Sequence, residues 1–397
     1  MALASNDKDL IPDYSILSGI ATIKDSVADL ESTFKEKCHV IANNWTTCTF
    51  SLRLDTCPPS YPEQVLIRVE TSNDNFETVA GIQNLAHSIL PGLVPCVLDV
   101  GTTTNAKGEK LAYSVIEFVP DAINLDDEWN NLDGSTQKDL VSQVVAAIQK
   151  LQNLNLNSEQ AQKALEGTPF YGDGRVARIG GPALGYFDDM AGFVVGLAGN
   201  ATLEKTNFCV SKTDDGLVIQ STLDSVGRVQ LTNSDLSELQ QNAVFCHDDL
   251  EPRNVLIKRD NATGKWNMAA IIDWEMAGFF PFAYESAHKD SELGTGILSF
   301  SWYTLFKEQT RHLLSGGESA VKLLEALRTM DVSRKIRPSK NVGHNFQLRW
   351  LEREKVEFSS DMPRGWVRKP GAGPIPVFTK QDQDDLEMEI LKEFGYV

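Results

Sequence analysis

One stretch of this 397-residue chain concentrates oxygen-bearing side chains at short intervals: His247-Asp248-Asp249-Leu250-Glu251-Pro252-Arg253-Asn254, followed, with 18 residues between, by Asp273 within Ile272-Asp273-Trp274-Glu275. Hard oxygen ligands, with no thiolate and few imidazoles, suit Mg²⁺, which takes one or two protein groups and completes its shell from phosphates and water. A carboxylate beside such an ion is the equipment of phosphoryl transfer. There the metal neutralises charge between phosphates while one carboxylate orients and deprotonates the attacking hydroxyl. Asp249 is the carboxylate assigned to that task.

Such groups need strands to hold them. Ala243 to Cys246 reads as a buried strand, His247 to Arg253 as a polar turn, and Asn254 to Lys258 with Trp266 to Ile272 as a hairpin around the turn signal Asn261-Ala262-Thr263-Gly264. A turn centred between Thr263 and Gly264 sets Asn254 opposite Asp273, and cross-strand partners lie roughly 5 Å apart at Cβ. Asp and Asn also serve simply to satisfy backbone groups in turns. That role does not explain why both motifs occur in this order at compatible spacing. Cys246 reads as a small strand hydrophobe.

The spacing H-x-D-x-x-x-x-N is that of the kinase catalytic loop, and Ile272-Asp273-Trp274-Glu275 stands where protein kinases carry Asp-Phe-Gly. In the form HxDLxPxN followed by IIDWE, the chain resembles the aminoglycoside phosphotransferase and choline kinase family, particularly its large fungal branch. The resemblance implies a protein-kinase-like, two-lobed α+β fold. Its small β-rich nucleotide-binding lobe would span about residues 1–119, and its larger, mainly helical catalytic and substrate lobe 120–397. Asp249 is then the catalytic base, His247 props the loop, Asn254 and Asp273 hold Mg²⁺, and ATP is the donor. A protein kinase would carry Arg at the Asp248 position and Lys at the Glu251 position, and an Ala-Pro-Glu segment further on; none is present.

In the small lobe, Leu17, Ile20, Ile23, Val27, Leu30 and Phe34 recur at helical spacing, so an amphipathic helix from about Asp13 to Phe34 precedes the sheet. Two β-rich runs follow, flanking Asp55 to Pro59. By the resemblance, the loop over the phosphates falls at Asn43 to Thr47, where no glycine occurs; backbone amides and the hydroxyls of Thr46 and Thr47 are the available donors. Arg68 occupies the position of the family's phosphate-contacting cation, and a guanidinium forks well onto phosphate oxygens. The bland alternative is a surface arginine on an edge strand. The helix after it, Thr78 to Leu90, lacks the expected pairing acid, leaving Glu77 or Gln83 as substitutes. Leu111 to Pro120 ends like the family's hinge, where the backbone of Glu117 and Val119 would meet the adenine edge.

Further along, Asp133-Gly134-Ser135-Thr136 caps an apolar-striped helix running to Leu151. The segment Thr168 to Pro182 has two glycine pairs but fits neither a GxGxxG nor a Walker spacing, so it reads as irregular surface structure. Phe170, Tyr171, Tyr186 and Phe187 are candidates for lining an acceptor pocket. Met276 to Glu285 is aromatic packing, and Glu275, exposed after the metal ligand, either touches the acceptor or braces the loop. Helices are expected near Ser299 to Leu314, Ala320 to Met330 and Gln381 to Phe394.

Lys plus Arg total 37 against 55 Asp plus Glu, a formal charge of −18 that repels nucleic acid and anionic membrane. The same charge suits a cationic partner. No apolar run is long enough to span a bilayer, the start lacks a signal-peptide pattern, and the six scattered cysteines form no CxxC pair, so the expected compartment is the cytoplasm. The activity expected is ATP- and Mg²⁺-dependent phosphorylation of a hydroxyl on a small molecule. The alternatives are a kinase-fold protein that binds a metabolite or partner, or acyl or nucleotidyl transfer in the same cleft.

Overall fold

The computed structural model describes residues 10–27, 36–71, 75–171, 177–199, 206–335 and 341–397. The chain has an α+β, kinase-like composition of two compact units. A β-rich unit takes in residues 1–122 with 163–165 and 269–274; a larger, mainly helical unit takes in the rest.

The β-rich unit is built on an antiparallel sheet of β1 (Cys38–Asn43), β2 (Thr47–Arg53), β3 (Gln64–Thr71), β4 (Val97–Thr104) and β5 (Lys110–Glu117), in the order β1-β2-β3-β5-β4. Alternation sends Cys48, Phe50, Leu52, Val65, Ile67, Val69, Leu111 and Val115 to one buried face. Ile16, Leu17, Ile20, Ile23 and Val27 cover it, as their apolar spacing required. They do so mostly without a helix: α1 spans only Tyr14–Ser18, because the chain turns at Gly19, where an added Cβ would stand 2.2 Å from Thr103 Oγ1. Leu30 and Phe34 lie outside the described residues. The opposite face carries Arg68 on β3, which is the central strand, so the edge-strand alternative does not hold. Helix α2 (Phe76–Ile89) buries Ala80, Ile82, Leu85 and Ala86.

In the larger unit, α3 (Gly134–Leu151) starts at the expected cap: Asp133 accepts from the amides of Ser135 and Thr136. A four-stranded sheet of order β12-β15-β7-β8 contains β7 (Ile179–Gly181), β8 (Gly185–Phe187), β12 (Ala243–Cys246) and β15 (Gly278–Pro281). The Gly180-Gly181 pair is therefore not surface structure. Both residues are buried, and a Cβ on Gly181 would stand 2.6 Å from the Ala277 carbonyl. Helix α4 (Met190–Ala198) and a meander of β9 (Phe208–Thr213), β10 (Gly216–Ser221) and β11 (Arg228–Thr232) fill the stretch between β8 and β12.

Strand β13 (Val255–Arg259) pairs with the short β6 (Ile123–Asn124) and turns into β14 (Trp266–Ile271). The turn closes between Asp260 and Lys265, one residue earlier in its centre than the sequence suggested. The remaining helices are α5 (Phe282–Glu292), α6 (Phe300–Thr310), α7 (Gly317–Lys335), α8 (Val342–Glu354) and α9 (Lys380–Phe394). Lys307 of α6 is buried and locks onto α5, donating to the Ser286 carbonyl and to Asp290. No described helix is long and apolar enough to cross a membrane, and all six cysteines are free.

Candidate active site

The loop between β12 and β13 is fixed from its own backbone outward. Asn254, at the end of the 3-10 turn Pro252–Asn254, donates its side-chain amide to both the Asp249 carbonyl (2.7 Å) and Asp249 Oδ2 (2.8 Å). Arg253 approaches the same carboxylate at 3.3 Å, and His247 Nδ1 accepts from the Asp249 amide at 3.3 Å. The Asp249 carboxylate is thus oriented by two side-chain donors, and the spent amide nitrogen of Asn254 leaves its Oδ1 as the atom to meet a cation. An amide oxygen and a carboxylate match the sparse protein donor set of Mg²⁺. No group of three or more His, Cys, Asp or Glu poised for a metal occurs among the described residues, as dedicated all-protein cages would require.

Beneath the loop lies a buried layer of charge. Asp248 has φ +65°, the left-handed region that a non-glycine residue enters at a cost, although Asp tolerates it. Its carbonyl accepts from His288 Nδ1 (2.7 Å) and Lys289 Nζ (3.3 Å), and its carboxylate faces His288 at 3.4 Å. Both Lys289 and Asp248 are fully buried, as are Glu251 and Glu285. Burial pushes Glu251 upward and raises Glu285 to about 7, with Lys289 opposing both shifts. Burial pulls His288 down, but its pairing with Asp248 and Glu292 carries it to about 10, and Glu292 falls to about 2 beside it. Glu251 also meets Arg253 Nε at 3.0 Å.

The β-rich unit holds the other assigned cation and carboxylate. Arg68 Nη2 lies 3.3 Å from Glu70 Oε2, and Arg68 Nη1 lies 3.8 Å from Asp273 Oδ1. Strand alternation places Arg68 and Glu70 on one face. The pairing acid thus comes from the strand itself and not from α2, where Gln83 is buried and donates to the Pro95 carbonyl (2.7 Å) and Glu77 is exposed. Asp273 also has φ +65°, directly before Trp274, whose buried indole donates to the Ile271 carbonyl. The turn between β1 and β2 is closed by Asn44, whose Oδ1 accepts from the Thr46 amide, the Thr46 hydroxyl and the Thr47 amide. Those three donors are engaged inside the loop. At the expected hinge, the Glu117 amide donates to the Cys96 carbonyl and the Glu117 carboxylate accepts from the Cys96 amide.

Residues 73–288, more than half of the chain, match the phosphotransferase enzyme family. The chain belongs to that family. A comparison with curated protein sequences returned no significant match. Among solved structures, the GDP and kanamycin complex of the aminoglycoside phosphotransferase APH(2″)-IIIa is similar at 11% identity and a TM-score of 0.44, covering 96% of this chain and 97% of the other. The gentamicin complex of APH(2″)-IIa is similar at 10% identity and a TM-score of 0.39, covering 85% and 99%.

In this phosphotransferase-family chain, of the aromatic residues offered for an acceptor pocket, Phe170 is core packing while Tyr171, Tyr186 and Phe187 are half-buried. Phe170 is fully buried against Tyr186 and Phe279, Phe187 packs on Phe193, and the Tyr171 hydroxyl donates to the Leu156 carbonyl. Glu275 is exposed. Sequence reasoning missed His288, Lys289, Glu70, Arg253 and Asn44. Glu70 was open to discovery, since it follows Arg68 by one strand period. His288 and Lys289 read as the solvated charges of an ordinary helix.

Proposed function

We propose that this protein transfers the γ-phosphoryl group of ATP, with Mg²⁺, to a hydroxyl of a small molecule. One observation carries the reading: the Asp249 carboxylate is held by Asn254 while Asn254 Oδ1 stays available, so base and metal ligand are fixed by a single hydrogen bond. In the reaction the acceptor oxygen attacks the γ-phosphorus, the bond to the ADP oxygen breaks, and the hydroxyl proton passes to Asp249. Asn254 and Asp273 would hold Mg²⁺, which supplies charge neutralisation on the phosphates when bound. Arg68, tuned by Glu70, steadies phosphate oxygens, and His247 props the loop through the Asp249 amide. The backbone of Glu117 and Val119 meets the adenine. Thr46 and Thr47 keep only a positioning part, because Asn44 takes their amides and the Thr46 hydroxyl.

The net charge of −18 and the exposed Glu275 support a cationic acceptor, and the free cysteines suit a reducing cytoplasm. The HxDLxPxN and IIDWE forms support a place in the fungal branch of the family. A second reading, a kinase-fold protein that binds a metabolite without phosphoryl transfer, is favoured by the internally closed, glycine-free turn at Asn44. Calorimetry of ATP with and without Mg²⁺, on wild type and on Asp273→Ala, separates the two. Metal-dependent binding that disappears in the variant supports the transferase and justifies screening hydroxylated metabolites for ADP release. Folded protein that binds no nucleotide sinks it.

A further inference from the structure

Between α5 and α7 lies a cavity of about 220 Å³ whose walls have two characters. Leu324 and Leu327 of α7, with Leu197 of α4, make one part apolar. Tyr284 and His288 of α5, with Arg328 and Arg334 of α7, make the rest polar. Three- and four-residue steps along each helix bring these side chains to one stripe.

The charges in this wall are not all compensated. Asp290 is held by Lys307 at 3.0 Å and by the Tyr303 hydroxyl at 2.6 Å. Asp331 faces Arg328 at 3.6 Å, and the Arg328 guanidinium is stacked on Phe358 and Trp366. His288 spends its ring on Asp248 and Glu292. Arg334 differs: it donates to the Leu197 carbonyl and lies over the Phe208 ring, with no carboxylate partner among the described residues. The Tyr284 hydroxyl likewise has no hydrogen bond among the described residues. Burial and Asp248 push that phenol upward while Arg334 opposes them, so hydroxyl and guanidinium sense each other.

We propose that this cavity binds a small organic monocarboxylate, its carboxylate taken by Arg334 and Tyr284 and its hydrocarbon body by Leu197, Leu324 and Leu327. A planar guanidinium fork is matched to a carboxylate. One uncompensated cation balances a monoanion, and Asp331 disfavours the second charge of a phosphate monoester. A water takes about 30 Å³ of liquid, so the cavity equals roughly seven waters, room for one ring with its carboxylate. Apolar walls with few placed polar groups are the usual make-up of a small-molecule site. The inference uses none of Asp249, Asn254 or Asp273 and stands apart from the phosphotransferase reading.

The test is ¹⁹F NMR of 4-fluorobenzoate with the full chain, with 4-fluorobenzyl alcohol and 4-fluorobenzylamine as neutral and cationic counterparts. Saturable line broadening of the carboxylate alone is expected. It should weaken roughly tenfold in Arg334→Gln, an exposed position that leaves the core intact, and less in Tyr284→Phe. No saturable broadening at millimolar carboxylate, equal binding of the alcohol, or binding unchanged in a folded Arg334→Gln overturns the proposal.

Discussion

The two places where this chain gathers charge are built differently. Around residues 247–254 the charges are buried and interlocked: Lys289, Asp248, Glu251 and Glu285 are all withdrawn from water under the Asp249 loop. Around Arg68 they are few: Arg68 and Asp273 are partly exposed and only Glu70 is buried, with Glu70 and Asp273 at 3.3 and 3.8 Å from the guanidinium. Burial makes each charge expensive to leave unpaired, so the loop is locked as a unit. The partly exposed Arg68–Asp273 contact, at 3.8 Å, is screened and readily exchanged for a ligand. The difference is that the Asp249 carboxylate is held rigidly while the Arg68 guanidinium is left free to exchange a partner.

Asp249→Asn tests the rigid side most severely. Losing a positioned base is expected to lower kcat about 10²- to 10⁴-fold with ATP affinity retained, read by steady-state kinetics beside calorimetry. A comparable loss of ATP binding would show that Asp249 organises the nucleotide instead.

Lys289→Met removes a fully buried cation that opposes the upward shifts of both Glu251 and Glu285, and should cost about 3–5 kcal/mol in urea unfolding. A cost near zero would mean that the layer is not interlocked.

The same layer has a pH signature. Glu285 stands at about 7 against an ordinary 4.5, so between those values the folded chain keeps a proton that the unfolded chain has released. Stability therefore falls as pH rises across that window, by an amount on the order of 3 kcal/mol, and Glu285→Gln should flatten the fall. His288 works in the same sense over a higher window. Raised from 6.5 to about 10, it contributes stability fully present below 6.5 and lost as pH rises through 10. His288→Gln should remove that alkaline slope.

On the exposed side the expected effects shrink. Arg68→Gln should raise KM for ATP about tenfold with little change in melting temperature, the mark of a contact that serves the ligand more than the fold. Gln83→Glu restores an acid to α2 but sets a carboxylate against the Pro95 carbonyl. It should destabilise by about 1 kcal/mol without tightening ATP binding.

Much of the loop was legible because its chemistry is local. Asp249 and Asn254 are five residues apart, and a 3-10 turn at Pro252 suffices to bring the amide onto the carboxylate. The strands β3, β5 and β12 and the helix α3 were equally readable from alternation and capping. The leading helix was not: its apolar spacing recorded burial against the sheet, which a turning segment meets as well as a helix. Helix α8 was lost because its exposed face carries most of its charge.

What the sequence determined by itself was the order of chemical groups along the chain, the apolar periodicities, and the turn residues that allow Asp248, Asp273 and Gly180 their unusual backbone. The tertiary structure alone decided which charges leave water. Lys289 and Lys392 are both helix lysines in the sequence, yet only Lys289 is buried, under the loop of Asp249. That choice depends on which helix face meets a neighbour, a long-range packing event that no local spacing encodes. It also turned Gln83 toward Pro95 and gave Arg68 its partner on the same strand.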